Sequence, residues 1–135
     1  MLLPHGAIVA VVDGKRLELY RNAGNEATPV LAPLTSPKLD EHNKAAGAHH
    51  LSSSANPAKS QLGEDAHAAA VASWLNQQVA ARSIEHLVVI AAPRTLGELR
   101  RHYAKALEGA LIGELHKDLM GRGAHDVLQA LHTTR

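Results

Sequence analysis

The sequence predicts an α/β domain with a mixed five-stranded sheet flanked by helices, in the element order βββαβαβα. Three observations support this prediction. An apolar run at Ala7–Val12 leads into an alternating stretch, residues 62–82 repeat apolar side chains at helical spacing, and the almost wholly apolar Leu87–Ala91 is followed at once by a helical pattern. Strands that alternate with helices indicate right-handed crossovers, and therefore parallel neighbours within the sheet.

The first three strands form a meander. An Asp-Gly pair at residues 13–14 follows the first apolar run, and it tolerates the positive φ of a tight hairpin turn. Apolar and polar residues then alternate over Lys15–Tyr20, which indicates the return strand. Prolines at positions 29 and 33 flank and interrupt the apolar Val30–Leu34, so this third strand is predicted to lie at an edge of the sheet.

The long helix predicted at residues 62–82 covers the sheet with one apolar face, made of Val71, Trp74, Leu75 and Val79. The strand at Leu87–Ala91 is apolar at every position, which is typical of a central strand buried on both faces. Thr95 and Glu98 have the spacing of a capping box, and they predict a helix start at that point.

The remaining elements complete the fold. The helix after the cap carries a stripe of Leu96, Leu99, Tyr103 and Leu107, and a further strand fits Ala110–Leu115. A last helix is predicted to begin after Gly121 or Gly123. This order of elements is the order found in ribonuclease H-like domains.

Composition limits the class of protein. The chain has 135 residues, which predicts one domain spanning 1–135, and no cysteine, which excludes disulfides and thiolate sites. No basic segment precedes the first apolar residues, and the longest apolar run is too short to span a bilayer. We therefore expect a cytoplasmic protein without a membrane partner. A net charge of +1 predicts no strong nonspecific binding to a polyanion, although ten histidines make the charge sensitive to pH.

The sequence argues against an enzyme. A nuclease with this fold needs several carboxylates around metal ions, but Asp13 lies in a predicted turn, while Glu64 and Asp65 lie at a predicted helix start. No phosphate-binding loop, dinucleotide fingerprint or hydrolase elbow occurs. We therefore predict no catalytic residue and no cofactor. His67 lies on the covered face of its helix, where we expect a hydrogen-bonded histidine rather than a catalytic one.

Residues 35–61 are predicted to form a mobile loop, because they are rich in Ser, Pro, Asn, Lys, His and Ala without periodicity. Gly47, His49 and His50 make this loop a candidate functional segment. Together with His42 and nearby acids its histidines could ligate a divalent ion, but the spacing matches no defined site, and we predict no bound metal.

Positive charge is concentrated in the C-terminal half. The candidate residues for binding an anion or RNA are Arg94, Thr95, Arg100, Arg101, Lys105, Lys117 and Arg122. Free amides at a helix start, together with Arg94, could hold a phosphate or a carboxylate. In the other interpretation Thr95 caps the helix and the basic side chains are simply solvated. Both interpretations stay open at this point.

Four stretches resemble one bacterial family, the proteins required for attachment to host cells: Leu3–Gly14, Leu87–Arg100, Ile112–Leu119 and the last helix. The most specific stretches are Ala-Pro-Arg-Thr-Leu-Gly-Glu-Leu-Arg at 92–100 and Gly-Glu-Leu-His-Lys-Asp-Leu at 113–119. That family is similar to bacterial relatives of the middle domain of archaeal and eukaryotic peptide-chain release factors. The resemblance implies the same fold and a role at the ribosome or on RNA.

In release factors a Gly-Gly-Gln loop before the long helix promotes peptidyl-tRNA hydrolysis. The corresponding segment here, Pro37–Gln61, contains Gly-Ala-His-His at 47–50 and no Gly-Gly-Gln. We therefore expect no peptide release. An attachment phenotype would be indirect, because the chain shows neither an export signal nor a repeat array.

Three hypotheses follow. The first is a noncatalytic cytoplasmic domain that contacts the ribosome or structured RNA. The second is a protein-interaction domain, acting in attachment or stress physiology, that engages a partner or itself through its loop or the Val30–Leu34 edge. The third, an enzyme for a small anionic ligand at Arg94 and Thr95, has the least support.

Overall fold

The computed structural model describes residues 1–39 and 57–133, and within the long helix it describes side chains from residue 62 onward. The strands in these ranges are β1 (Ile8–Val12), β2 (Leu17–Asn22), β3 (Leu31–Leu34), β4 (Leu87–Ala91) and β5 (Leu111–His116). The helices are α1 (Pro57–Ala80), α2 (Pro93–Arg100), α3 (Lys105–Ala110) and α4 (Ala124–Thr133). Among these helices, none is both long enough and apolar enough to cross a membrane.

The five strands form one mixed sheet in the order β3-β2-β1-β4-β5. The meander pairs β1 with β2 and β2 with β3 antiparallel, whereas β1 and β4, and then β4 and β5, run parallel. Both central strands are buried at all five positions, in agreement with their apolar sequences. The predicted fold class, a ribonuclease H-like α/β domain with a mixed five-stranded sheet, is confirmed, and β3 lies at an edge as expected.

Helices cover both faces of the sheet. On one face α1, α2 and α3 pack over alternate residues of the central strands, and the largest fully buried side chains there include Leu75, Leu96, Leu99 and Leu107. On the other face α4 packs through Val127 and Leu131, together with the N-terminal segment around Leu3. Because successive strand residues point to opposite faces, each central strand contributes to both cores.

The capping box prediction is wrong. The N-cap of α2 is Ala92, which has an extended backbone and no side-chain hydrogen bond to the helix start. Pro93 follows it in the first turn. Proline suits that position because its fixed φ is helical and its missing N–H needs no partner there. Thr95 therefore lies inside the first turn of α2.

The helix predicted through Leu107 is in fact broken into α2 and α3. The N–H groups of residues 101–103 bond carbonyls three residues back, which tightens and ends α2. Asn76 of α1 then holds the break, since its amide donates to the His102 carbonyl at 2.8 Å and its oxygen accepts from the Ala104 N–H at 2.9 Å. Sequence periodicity gave no sign of this contact.

Other boundaries differ less. The long helix begins at Pro57 rather than residue 62, so residues 57–61 are helical and do not belong to a loop as predicted. The last helix follows Gly123, whose φ of +89° favours glycine. The rest of the predicted mobile loop, including Gly47, His49 and His50, falls largely on residues 40–56, which lie outside the described residues.

Candidate nucleic-acid interface

The carboxyl ends of β1, β4 and β5 lie side by side, because these strands are parallel. They form the carboxyl edge of the sheet, which runs across the strand ends and is distinct from the edge strands β3 and β5. Ligands bind at this edge in many open α/β sheets. Arg94, an exposed residue, lies in the first turn of α2 just beyond β4, and Lys117 directly follows β5. Ala91 and His116 are paired in register, so Arg94 and Lys117 lie on the same edge of the sheet.

The hairpin turn between β1 and β2 also lies at this edge, but the carboxylate of its Asp13 already bonds groups of the turn itself. The Asp13 carboxylate accepts the N–H groups of Lys15 at 2.8 Å and Arg16 at 2.5 Å, and it pairs with the Arg16 guanidinium. Burial raises the pKa of Asp13, but these hydrogen bonds and the neighbouring charge outweigh burial and hold the pKa below its usual value. The carboxylate thus stabilises the turn. The positive φ predicted for the Asp-Gly pair is wrong, since neither Asp13 nor Gly14 has a positive φ, and the side chain of Asp13 holds the turn instead.

His67 lies beside this hairpin on α1. It is buried, and its Nε2 atom is 3.1 Å from the Arg16 carbonyl oxygen, which makes it the donor in that contact. The expected hydrogen-bonded histidine is confirmed. Among residues 1–39 and 57–133, no three His, Asp or Glu side chains are grouped so that they could hold a metal ion.

Arg100 is bound to Glu114 of β5. Its Nη2 and Nε atoms lie 2.7 and 3.1 Å from the Glu114 Oε1 oxygen, and the Tyr103 hydroxyl donates to Oε2 at 3.0 Å. The hydrogen bonds that Arg100 donates to Glu114, together with the negative charge of that carboxylate, raise the pKa of Arg100. Burial, with the Glu114 charge beside it, raises the pKa of Tyr103. Arg100 therefore neutralises a carboxylate that is only 16% exposed.

Arg101 also has an acidic partner, because its Nη1 atom lies 3.2 Å from Glu98 Oε1. The other oxygen of Glu98 is 3.2 Å from His102 Nε2. Glu98, predicted as half of a capping box, instead joins the last turn of α2 to the residues that follow it.

The other predicted basic residues are exposed. Lys105 begins α3. Lys117 and Arg122 line a shallow depression beside α4, together with Asp118, Asp126 and Gln129. The structure thus groups Arg94 with Lys117 along the sheet edge and Lys117 with Arg122 around the depression, while Arg100 and Arg101 are engaged by acids.

Glu114 was not among the residues that the sequence pointed to. Its signal was present, because alternation along β5 places Glu114 and His116 on the same face of the strand. In the structure both side chains lie beside Arg100, with His116 Nε2 3.4 Å from Arg100 Nη2. An acid in a strand next to a basic helix is a reasonable candidate counter-ion, and Glu114 fills that role.

The strand order and the helices on both faces define a ribonuclease H-like α/β domain. The model of bacterial archaeo-eukaryotic release factor family 12 matches residues 6–131. The chain therefore belongs to this family, and the predicted relation to release factors is confirmed. A search of the curated proteins found no match.

Proposed function

We propose that this chain is a noncatalytic cytoplasmic domain that binds the ribosome or a structured RNA. The family match carries the proposal, since it extends over almost all of the described fold and joins the chain to domains related to release factors. The segment that would need Gly-Gly-Gln for peptide release lies between β3 and α1, and its sequence lacks that motif. Indeed no two adjacent glycines occur anywhere in the chain.

The contact surface in this proposal is the carboxyl edge of the sheet with the adjoining depression. Arg94, Lys117 and Arg122 are exposed there, and they form no ion pair within residues 1–39 and 57–133. Phosphate oxygens are the natural partners of such side chains. Acidic residues in the depression and a net charge of only +1 favour a limited, position-specific contact over general adhesion to polyanions.

Arg100 and Arg101 have a smaller place in this proposal. Their guanidinium groups hold Glu114 and Glu98, so an RNA phosphate would compete with an existing carboxylate partner. Lys105 remains an exposed candidate on α3. The edge residues Arg94 and Lys117 are therefore the better substitutions for a binding test.

The test is cosedimentation with ribosomes from cell lysate at low and at high salt. The double variant Arg94→Glu, Lys117→Glu is compared with Arg21→Glu, Arg82→Glu, which changes the charge equally at exposed positions near the opposite edge of the sheet. We expect the wild type and the control to comigrate with ribosomes in a salt-sensitive way and the first variant to be lost. Equal behaviour of both variants, or no comigration at low salt, would refute the proposal.

Peptide release is measured separately on ribosomes that carry a labelled peptidyl-tRNA. We expect the wild-type chain to bind without releasing peptide above background, since no residue is assigned to that chemistry. Release dependent on this chain would contradict the noncatalytic part alone. In this proposal, any role of the chain in attachment to host cells is indirect and acts through the expression of other proteins.

A further inference from the structure

The strand β5 forms the second edge of the sheet, opposite β3. The two edges differ in sequence. The four-residue β3 contains Pro33, whereas β5 has six residues and includes neither proline nor lysine. Short length, proline, lysine and β-bulges are the usual protection of an edge against pairing with another chain, and of these β5 has only a bulge, near its start. Within residues 1–39 and 57–133, no strand pairs with the outer side of β5.

Part of β5 is irregular. The pairing with β4 shifts so that Leu111 lies opposite Leu87 and Gly113 opposite Val88, which leaves Ile112 as an extra, bulged residue. Ile112 is 37% exposed. After the bulge, residues 113–116 follow β4 in regular register. This regular part is long enough to offer its outer backbone groups to a further strand.

The two faces of this regular part have different chemistry. Leu115 is buried on the α4 side, in one cluster with Val127 and Leu131. Glu114 and His116 lie on the other side, where both approach Arg100. The strand therefore presents a carboxylate and an imidazole on one face, separated by an apolar residue on the other.

We propose that β5 pairs antiparallel with β5 of a second copy of this chain, about a two-fold axis at Leu115. In this register Leu115 faces Leu115 of the second copy on the α4 side. On the other side Glu114 faces His116 of the second copy, and His116 faces its Glu114. Each Glu114 thus approaches a histidine and, beside it, an arginine, which makes the strand complementary to itself.

The neighbouring register is unfavourable. A two-fold axis at Glu114 would place two carboxylates opposite each other, and like charges directly opposite destabilise a strand pair. A shift by one residue would bring residues of opposite faces together, because side chains alternate. Charge and alternation therefore both favour the axis at Leu115, and they favour a second copy over an unrelated strand.

The first test is sedimentation equilibrium of the intact chain over a concentration series. We expect a reversible species of twice the 14.3 kDa monomer mass. His116→Glu places like charges opposite each other twice per dimer, and it should raise the dimer dissociation constant about tenfold or more. His116→Lys should retain the dimer. The control His125→Glu makes the same change at an exposed position in the first turn of α4 and should have no effect.

The register is tested with single cysteines, since the native chain has none. Leu115→Cys should form an intermolecular disulfide, because opposite residues of an antiparallel pair have Cα atoms about 4.5–5.5 Å apart. Ile112→Cys is the more exposed position, yet the two copies of residue 112 would lie six positions apart, roughly 20 Å. We expect crosslinking at residue 115 and none at residue 112.

Circular dichroism confirms that each variant is folded before its mass is interpreted. A chain that stays monomeric at every concentration overturns the proposal. So does a dimer that is unaffected by His116→Glu, or one that crosslinks through residue 112 and not through residue 115.

Discussion

Asn22 is expected to be the polar residue on which the fold depends most. It is completely buried at the end of β2. Its amide nitrogen donates to the carbonyl of Leu3 at 2.9 Å, and its oxygen accepts the N–H groups of Gly24 at 2.9 Å and Val30 at 3.0 Å. One side chain thus joins the N-terminal segment to the connection between β2 and β3. We consider the change Asn22→Leu, which keeps the number and branching of the side-chain heavy atoms, replaces the amide oxygen and nitrogen by two larger methyl groups, and so removes every polar atom of the side chain.

The size of the effect follows mainly from the three backbone groups that Asn22 bonds at 3.0 Å or less, since its two other bonds, to the carbonyls of Pro4 and Asn25, are longer, at 3.3 and 3.4 Å. A buried group left unsatisfied costs about 1–3 kcal/mol. The bond to Leu3 is buried, whereas those to Gly24 and Val30 are partly buried, so water can reach part of the site and the lower end of the range applies to them. We expect Asn22→Leu to lower the free energy of unfolding by about 3 kcal/mol. A domain of this size should remain folded after such a loss.

Urea denaturation followed by far-UV circular dichroism measures this loss. The matched control is Asn25→Leu, the same chemical change at an exposed residue whose oxygen accepts the Thr28 N–H at 2.7 Å. Water can replace that bond, and we expect a loss below about 1 kcal/mol. Equal losses for the two variants would refute the reasoning, because burial would then not determine the value of these bonds.

Three further predictions concern other parts of the domain. Tyr103→Phe removes one bond to the Glu114 carboxylate and should lower the free energy of unfolding by about 1–2 kcal/mol in urea. Folding lowers the pKa of Asp13, so its ionised carboxylate adds to the free energy of unfolding above the unfolded pKa of about 4. This addition is lost as pH falls below that value. The difference in free energy of unfolding between wild type and Asp13→Ala, measured in urea, should therefore shrink over that range. A Cβ at Gly24 would overlap a nearby backbone oxygen, whereas one at Gly97 would meet nothing. Calorimetry should therefore show Gly24→Ala melting lower, and Gly97→Ala melting at or above wild type.

Most of the architecture could be predicted from the sequence, because the spacing of apolar residues distinguishes strands from helices and shows which faces are buried. The sequence of β4 is wholly apolar because helices cover both of its faces, so all five positions are buried. The sequence of β2 alternates because Glu18 and Arg21 are partly or fully exposed while the residues between them are buried. The break after Arg100 could not be predicted in this way. It depends on Asn76, which is distant in sequence and holds the chain only after α1 has packed.

The candidate site was predictable in composition but not in arrangement. The sequence identifies basic residues, but it does not say which of them have acidic partners. Arg101 and Glu98 are one helical turn apart, a spacing that could have suggested their pairing. Arg100 and Glu114 are brought together only by the packing of α2 beside β5, so their contact needed the tertiary structure.

The pairing of Arg100 also decides how a loss of RNA binding should be interpreted. Reversing its charge would place a carboxylate beside Glu114, a group that is largely buried and already bound by Tyr103. The variant would be destabilised whether or not Arg100 ever meets RNA, because an uncompensated buried charge is strongly unfavourable. Arg94 has no such partner among the described residues, so its reversal changes the surface potential and leaves the core intact. A loss of binding with Arg94→Glu in a protein of unchanged stability therefore reports on recognition, whereas the same loss with Arg100→Glu also reports on folding.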